Sequence, residues 1–227
     1  MILSYENLIE RVAANDLAVQ IVRWEGRGET TDERLRALSE ALRANTVVTS
    51  VQVAHSDHLT DEGVLALEAV LPLCNVDDVR LRFNRQVSAE AMKRVFMACA
   101  PKLLKRVESN DRTLTEVDWS TRGVDDSTLG SLAHALRGNT RVESVLLYIN
   151  PALSSAGASK LIDTLPHCAV EDVQSWSTGF AGSEMEKDIA RLCQENVIQR
   201  VRANDRTLRR VDWSFGKSGL VDDVRII

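Results

Sequence analysis

The 227-residue sequence predicts an α/β solenoid, a curved parallel sheet with helices on its outer side. Three observations carry that expectation: a long internal repeat, a shorter unit inside it, and a change of apolar period within each unit.

The long repeat is direct. Asn110-Asp-Arg-Thr-Leu-Thr-Glu-Val-Asp-Trp-Ser120 recurs as Asn204-Asp-Arg-Thr-Leu-Arg-Arg-Val-Asp-Trp-Ser214, nine of eleven residues matching at an offset of 94. A weaker copy is Asn15-Asp-Leu-Ala-Val-Gln-Ile-Val-Arg-Trp24, and Glu6–Ala14 reappears as Glu195–Ala203. The single domain 1–227 thus reads as an N-terminal capping helix over 1–14 and two three-unit copies, 15–109 and 110–203. A partial repeat or cap over 204–227 follows.

The shorter unit is an apolar-x-x-apolar segment, usually with a third large residue two positions on. It occurs at Val19/Val22/Trp24, Val48/Val51/Val53, Val76/Val79/Leu81, Leu114/Val117/Trp119, Val142/Val145/Leu147, Val170/Val173 and Leu208/Val211/Trp213. The starts are 29, 28, 38, 28, 28 and 38 residues apart, so each copy is two standard units and one expanded unit. Seven strands in one parallel sheet are expected.

Between these segments the apolar period changes to that of a helix. Leu35, Leu38 and Leu42 fall at i, i+3, i+7, as do Leu129, Leu132 and Leu136, and Val64, Leu67 and Leu71. Thr30 with Glu33 reads as a capping box, and Ser154 or Ser155 as a later cap. Gly63 and Gly157, also 94 apart, are placed where a helix would approach the sheet. In the expanded units Pro101 is expected to end one helix, over 88–99, and to start a second, over 102–109.

A strand and a helix every 28 residues is the leucine-rich-repeat pattern, in which each unit needs a neighbour to bury its apolar face. Ala41-Leu-Arg-Ala-Asn-Thr-Val-Val-Thr-Ser-Val-Gln-Val53 and Ala135-Leu-Arg-Gly-Asn-Thr-Arg-Val-Glu-Ser-Val-Leu-Leu147 resemble the helix end, asparagine turn and strand of the ribonuclease-inhibitor-like class. They look most like its tropomodulin-type branch. The resemblance implies the fold and a binding role, and no partner-binding residue is carried over from it.

Composition is that of a globular protein, with 44% apolar and 27% charged residues. The net charge of −5 disfavours nucleic acid, which selects a basic face. Met1–Asn7 lacks the basic start and apolar run of a signal peptide, and no apolar stretch is long enough for a membrane span, so a cytoplasmic protein with no membrane association is expected. The four cysteines pair across the repeat as 74/168 and 99/193, which marks two core positions used twice. His55 and His58 share a loop with Asp57 and Asp61, a surface loop without the ligand set of a zinc site. There is no phosphate-binding loop and no nucleophile motif. No catalytic residue, metal or cofactor is expected, and the protein is read as a non-enzyme.

Trp24, Trp119 and Trp213 take the third, inward strand position and are expected in the core. Trp176 follows Ser175, so alternation turns it outward, unless a shifted register buries it in place of Ser175. Residues between the apolar positions line the concave face. The candidate contacts there are Arg80, Arg82, Asp118, Tyr148, Gln174 and Trp176, because arginine and aromatic residues dominate protein-binding hot spots. The expected function is a protein-binding scaffold or adaptor. The alternatives are a self-assembling, cytoskeletal-type subunit that stacks as a homo-oligomer through its C-terminal end, and, at the level of fold alone, a regulator of an enzyme such as a GTPase.

Overall fold

A computed structural model describes residues 5–25 and 30–203. The order of elements is α1 (Tyr5–Ala13), β1 (Ile21–Glu25), α2 (Asp32–Leu42), β2 (Ser50–Ala54), α3 (Asp61–Val70), β3 (Asp78–Arg82), α4 (Ala89–Glu108), β4 (Glu116–Asp118), α5 (Asp126–Leu136), β5 (Ser144–Leu146), α6 (Ser155–Ile162), β6 (Asp172–Gln174) and α7 (Glu184–Arg202). Single 3-10 turns, Leu71–Leu73 and Leu165–His167, follow α3 and α6. The expected seventh strand with Trp213, the C-terminal cap and the oligomer contact built on it lie outside the described residues.

Every strand pairing is parallel, and the registers are those given by aligning the repeat units. Val22, Val51 and Val79 are partners across β1, β2 and β3; Val117, Val145 and Val173 are partners across β4, β5 and β6. The strands form two three-stranded sheets, β1-β2-β3 and β4-β5-β6, rather than the single sheet expected. The break falls at the expanded unit. There the connection is the twenty-residue α4 instead of a helix of about ten, and β3 and β4 share no ladder hydrogen bond.

Helix α4 also corrects the reading of Pro101. The helix runs through the proline, although proline removes a backbone donor and crowds the carbonyl four residues back, at a cost of roughly 3 kcal/mol. Burial explains why it persists. Ala91, Val95 and Cys99 pack into the first core, and Phe96, Ala100, Leu103 and Val107 into the second, so one rigid helix closes both. Its counterpart α7 has Glu195 at the equivalent position and runs unbroken. Pro101→Glu is therefore expected to raise stability by about 1–3 kcal/mol, read as a higher urea midpoint at unchanged m-value.

The caps are built from one side chain type used again and again. The first α2 residue, Asp32, accepts from the backbone N–H (2.8 Å) and hydroxyl (2.6 Å) of Thr60, the N-cap of α3. Asp61 does the same for Ser88 ahead of α4 and Asp126 for Ser154 ahead of α6. Ser154 is the α6 cap, while Thr31 rather than Thr30 caps α2, with its hydroxyl accepting from Arg34 N. Gly63 and Gly157 fit this scheme and not a close approach to the sheet. A Cβ on either would meet the Oδ1 of Asp32 or Asp126 at 2.5 Å, so glycine is what lets successive helices lie against one another here.

Trp24 and Trp119 are buried, as are Cys74, Cys99 and Cys193, with Cys168 half-buried. Burial pushes the Cys99 thiol up to about 12, the behaviour of a packing residue and not of a nucleophile.

Candidate protein-binding face

Alternation along each strand sends one set of side chains to the helices and the other to the open side of the sheets. The outward rows follow the ladder: Ile21, Ser50 and Asp78; Arg23, Gln52 and Arg80; Glu25, Ala54 and Arg82. In the second sheet they are Glu116, Ser144 and Asp172, then Asp118, Leu146 and Gln174. The ladder continues one step beyond the strands. Leu147 N donates to Gln174 O at 2.8 Å and Ile149 N to Trp176 O at 3.0 Å, which sets Tyr148 beside Trp176.

At that position the chain turns. His55, Phe83, Thr121, Ile149 and Ser177, one per unit, all have left-handed backbone, with φ between 55° and 62°. Such a residue costs about 1 kcal/mol or more and persists only where its surroundings fix it. Buried asparagines supply part of that fixing. Asn84 Nδ2 donates to Val53 O (2.9 Å) while its Oδ1 accepts from Ser56 N (2.9 Å). Asn150 Nδ2 donates to Trp119 O and Leu147 O, and its Oδ1 accepts from Val124 N. The turn presents apolar side chains to solvent: Phe83, 71% exposed, stacks on His55 at 4.8 Å, and Ile149 is exposed next to Tyr148.

The six candidate contact residues divide into two groups. Arg80, Arg82 and Asp118 are drawn into one ion network that spans the break between the sheets. Asp118, 1% exposed, accepts from Arg80 Nη1 at 2.8 Å, from Arg82 Nη2 and from the hydroxyl of Ser120. Arg80 Nε also donates to Asp78 Oδ2 at 2.8 Å, and Arg122 Nη2 donates to Asp78 Oδ1 at 2.6 Å. Burial pushes the Asp78 carboxyl up, but Arg122 and Arg80 together outweigh that and hold it below the usual carboxylate range. A cleft of about 280 Å3, lined by Ser50, Asp78, Arg80, Arg106, Leu114 and Glu116 among others, lies at this break.

The second group is aromatic. The rings of Tyr148 and Trp176 stack at 4.6 Å with an interplanar angle of 4°. Trp176 is 51% exposed, and Ser175 is the buried member of the pair, its hydroxyl donating to Glu186 Oε1 at 2.7 Å. Gln174, on β6, belongs to neither group and donates to Asp172 Oδ2 at 3.1 Å. Sequence reasoning missed Arg122, since a loop residue after a left-handed turn carries no strand periodicity. It also missed Phe83, although a large apolar residue just past a strand, outside the inward set, was a usable signal.

Among the described residues no three histidine, cysteine or acidic side chains gather as a metal site, and no helix is long and apolar enough to cross a membrane.

These features define an α/β repeat protein whose open sheet face carries a central ion network and a stacked aromatic pair. No protein-family model matches the chain, and no curated protein matches it. Solved structures of similar backbone include the actin-binding site 2 of leiomodin-1, at 14% identity over 90% of this chain and 95% of that one, with a TM-score of 0.38. Another is the tropomodulin C-terminal domain of Caenorhabditis elegans, at 14% identity over 89% and 98%, with a TM-score of 0.39. A third is the leucine-rich repeat-containing protein LegL7 from Legionella pneumophila, at 12% identity over 83% and 86%, with a TM-score of 0.24.

Proposed function

We propose that the chain is a non-enzymatic, cytoplasmic scaffold or adaptor, a leucine-rich-repeat solenoid that binds a protein partner on its concave strand face. The observation that supports this reading best is the Tyr148–Trp176 stack. Two large rings held parallel, Trp176 half in water and Tyr148 only partly covered, forgo burial that the core grants to Trp24 and Trp119. A pre-ordered aromatic pair loses little side-chain freedom on binding, and such residues dominate the energetics of protein interfaces. Ile149 extends the apolar area, and Arg80 and Arg82 on β3, across the break between the sheets, add partly exposed, already oriented guanidinium groups. Their ion pairing makes them a positioned rim rather than the anchor.

The test is affinity capture from cytosol with the wild-type chain and with the Tyr148→Ala/Trp176→Ala double variant, followed by a titration of the captured partner. Removal of two central anchors is expected to weaken binding by about 2 kcal/mol or more, roughly thirty-fold in Kd, with circular dichroism and Tm unchanged. An unaltered Kd in a folded double variant excludes this face.

A further inference from the structure

The two 94-residue copies build one niche twice and fill it differently. In the first copy, Lys102 of α4 reaches beneath the turn at Leu71–Leu73. Its Nζ donates to the carbonyls of Leu71, of Cys74 at 2.8 Å and of Val76 at 3.0 Å. An ammonium carries three donors, and three carbonyls use all of them.

Ninety-four residues on, the same backbone is present and the lysine is not. Position 196 is asparagine, facing Leu165, Cys168 and Val170. Its Nδ2 donates to Leu165 O at 3.0 Å and to Val170 O at 2.8 Å. An amide nitrogen has only two protons, so the third carbonyl, that of Cys168, is left without a donor among the described residues. The Asn196 side chain is buried, and its Oδ1, an acceptor, is likewise without one.

The wall around it recedes at the same time. Asn75 becomes Ala169, Lys105 becomes Gln199, Ser109 becomes Ala203 and Ala44 becomes Gly138, against a single change to a titratable group, Leu73 to His167. What remains is a cavity of about 560 Å3, lined by Gly138, Cys168, Ala169, Asn196, Gln199 and Ala203 among others. That volume is in the range of small-molecule sites. Two lysine charges are lost from the niche, while the neighbouring Arg200 is held by Glu143 and Glu171. The carbonyl ends thus keep their negative potential without the cation that answers it in the first copy.

We propose that this cavity binds a primary alkylammonium group, which serves in the second copy the one carbonyl that Asn196 leaves open and that Lys102 Nζ satisfies in the first. The ammonium donates to Cys168 O and Asn196 Oδ1, and its aliphatic stem lies along the space vacated at Ala169 and Ala203. Two sources share this chemistry, a lysine side chain of another protein and a free polyamine.

The test is a titration of the full, isotope-labelled chain with putrescine and, separately, with Nα-acetyl-lysinamide. It is followed by amide shifts at Cys168, Ala169 and Val170. Saturable shifts in the millimolar range are expected. Tighter binding of the lysinamide assigns a protein lysine, and tighter binding of putrescine a free polyamine. Asn196→Lys supplies its own ammonium and should abolish the titration while raising Tm. Ala169→Asn, which narrows the cavity without adding charge, should weaken the titration and covers the case in which the first variant fails to fold. The proposal is overturned if neither amine shifts these amides, if tetramethylammonium, which has charge but no N–H, shifts them equally, or if both folded variants titrate like the wild type.

Discussion

Trp119→Ala is expected to cost about 3–5 kcal/mol of folding stability, the range for deleting a large, fully enclosed aromatic side chain. The ring of Trp119 is completely buried and meets Phe96 edge-on, with centroids 5.1 Å apart at 81°. Phe96 lies on α4, so the contact ties the longest helix to the first strand of the second sheet. Alanine leaves a void between two elements that cannot both collapse into it, because α4 is also held by the first core through Ala91, Val95 and Cys99. The indole Nε1 is buried without a hydrogen-bond partner, so the native residue already carries a penalty of its own. Trp119→Phe removes that penalty along with part of the volume and should cost distinctly less than the alanine variant. Chemical denaturation of the two variants decides the matter. A Trp119→Ala midpoint equal to the wild type would mean that the ring is not enclosed as described.

The position of Trp119 is legible in the sequence alone. Repetition of the segment around it at an offset of 94 fixed the register, and the register fixed which side of the strand the ring takes. The outward rows were legible for the same reason, so Arg80, Asp118 and Gln174 lie where alternation puts them. The contacts made by those rows were not. Alternation states which way Arg82 leaves the sheet, whereas its pairing with Asp118 depends on the gap between β3 and β4. That gap falls at the expanded unit, whose helix α4 runs through Pro101 against the local rule for proline. Tertiary burial overrode local preference at that residue, and the sheet divides at the same unit. Trp176 is the intermediate case. Period two allowed either it or Ser175 to face inward, and the outcome turned on a partner invisible to periodicity, the Glu186 carboxylate that receives the Ser175 hydroxyl.

Asp78→Ala is the second substitution with a large expected effect, about 3 kcal/mol, and its cause is electrostatic. Asp78 receives the Ser50 hydroxyl at 3.1 Å, Arg80 at 2.8 Å and Arg122 at 2.6 Å. Arg80 retains Asp118 when Asp78 is removed, but the Arg122 side chain is only 8% exposed, and Asp78 is its sole ion-pair partner among the described residues. The face of Phe96, 5.7 Å from the guanidinium carbon, is a weak substitute for a carboxylate. An unpaired buried cation is among the costliest defects a single substitution creates, whereas replacing both members of such a pair by apolar groups is often nearly neutral. Asp78→Leu combined with Arg122→Met should therefore recover most of the loss, and a double-mutant cycle measures the coupling. The same pair predicts the response to acid. A carboxyl held below its ordinary value binds its proton less readily in the folded state than in the unfolded one. Its stabilisation is thus fully present above pH ~4 and is lost as the pH falls below that. In Asp78→Asn this contribution is absent at every pH, so stability should fall less steeply with acid than in the wild type. Parallel acid-unfolding curves for the two proteins would show that Asp78 is not held by the arginines. Because Asp78 belongs to β3 and Arg122 follows β4, the first amides to exchange faster in Asp78→Ala should be those of β4, where ion pairs, this one among them, do the joining that backbone hydrogen bonds do elsewhere in the sheets.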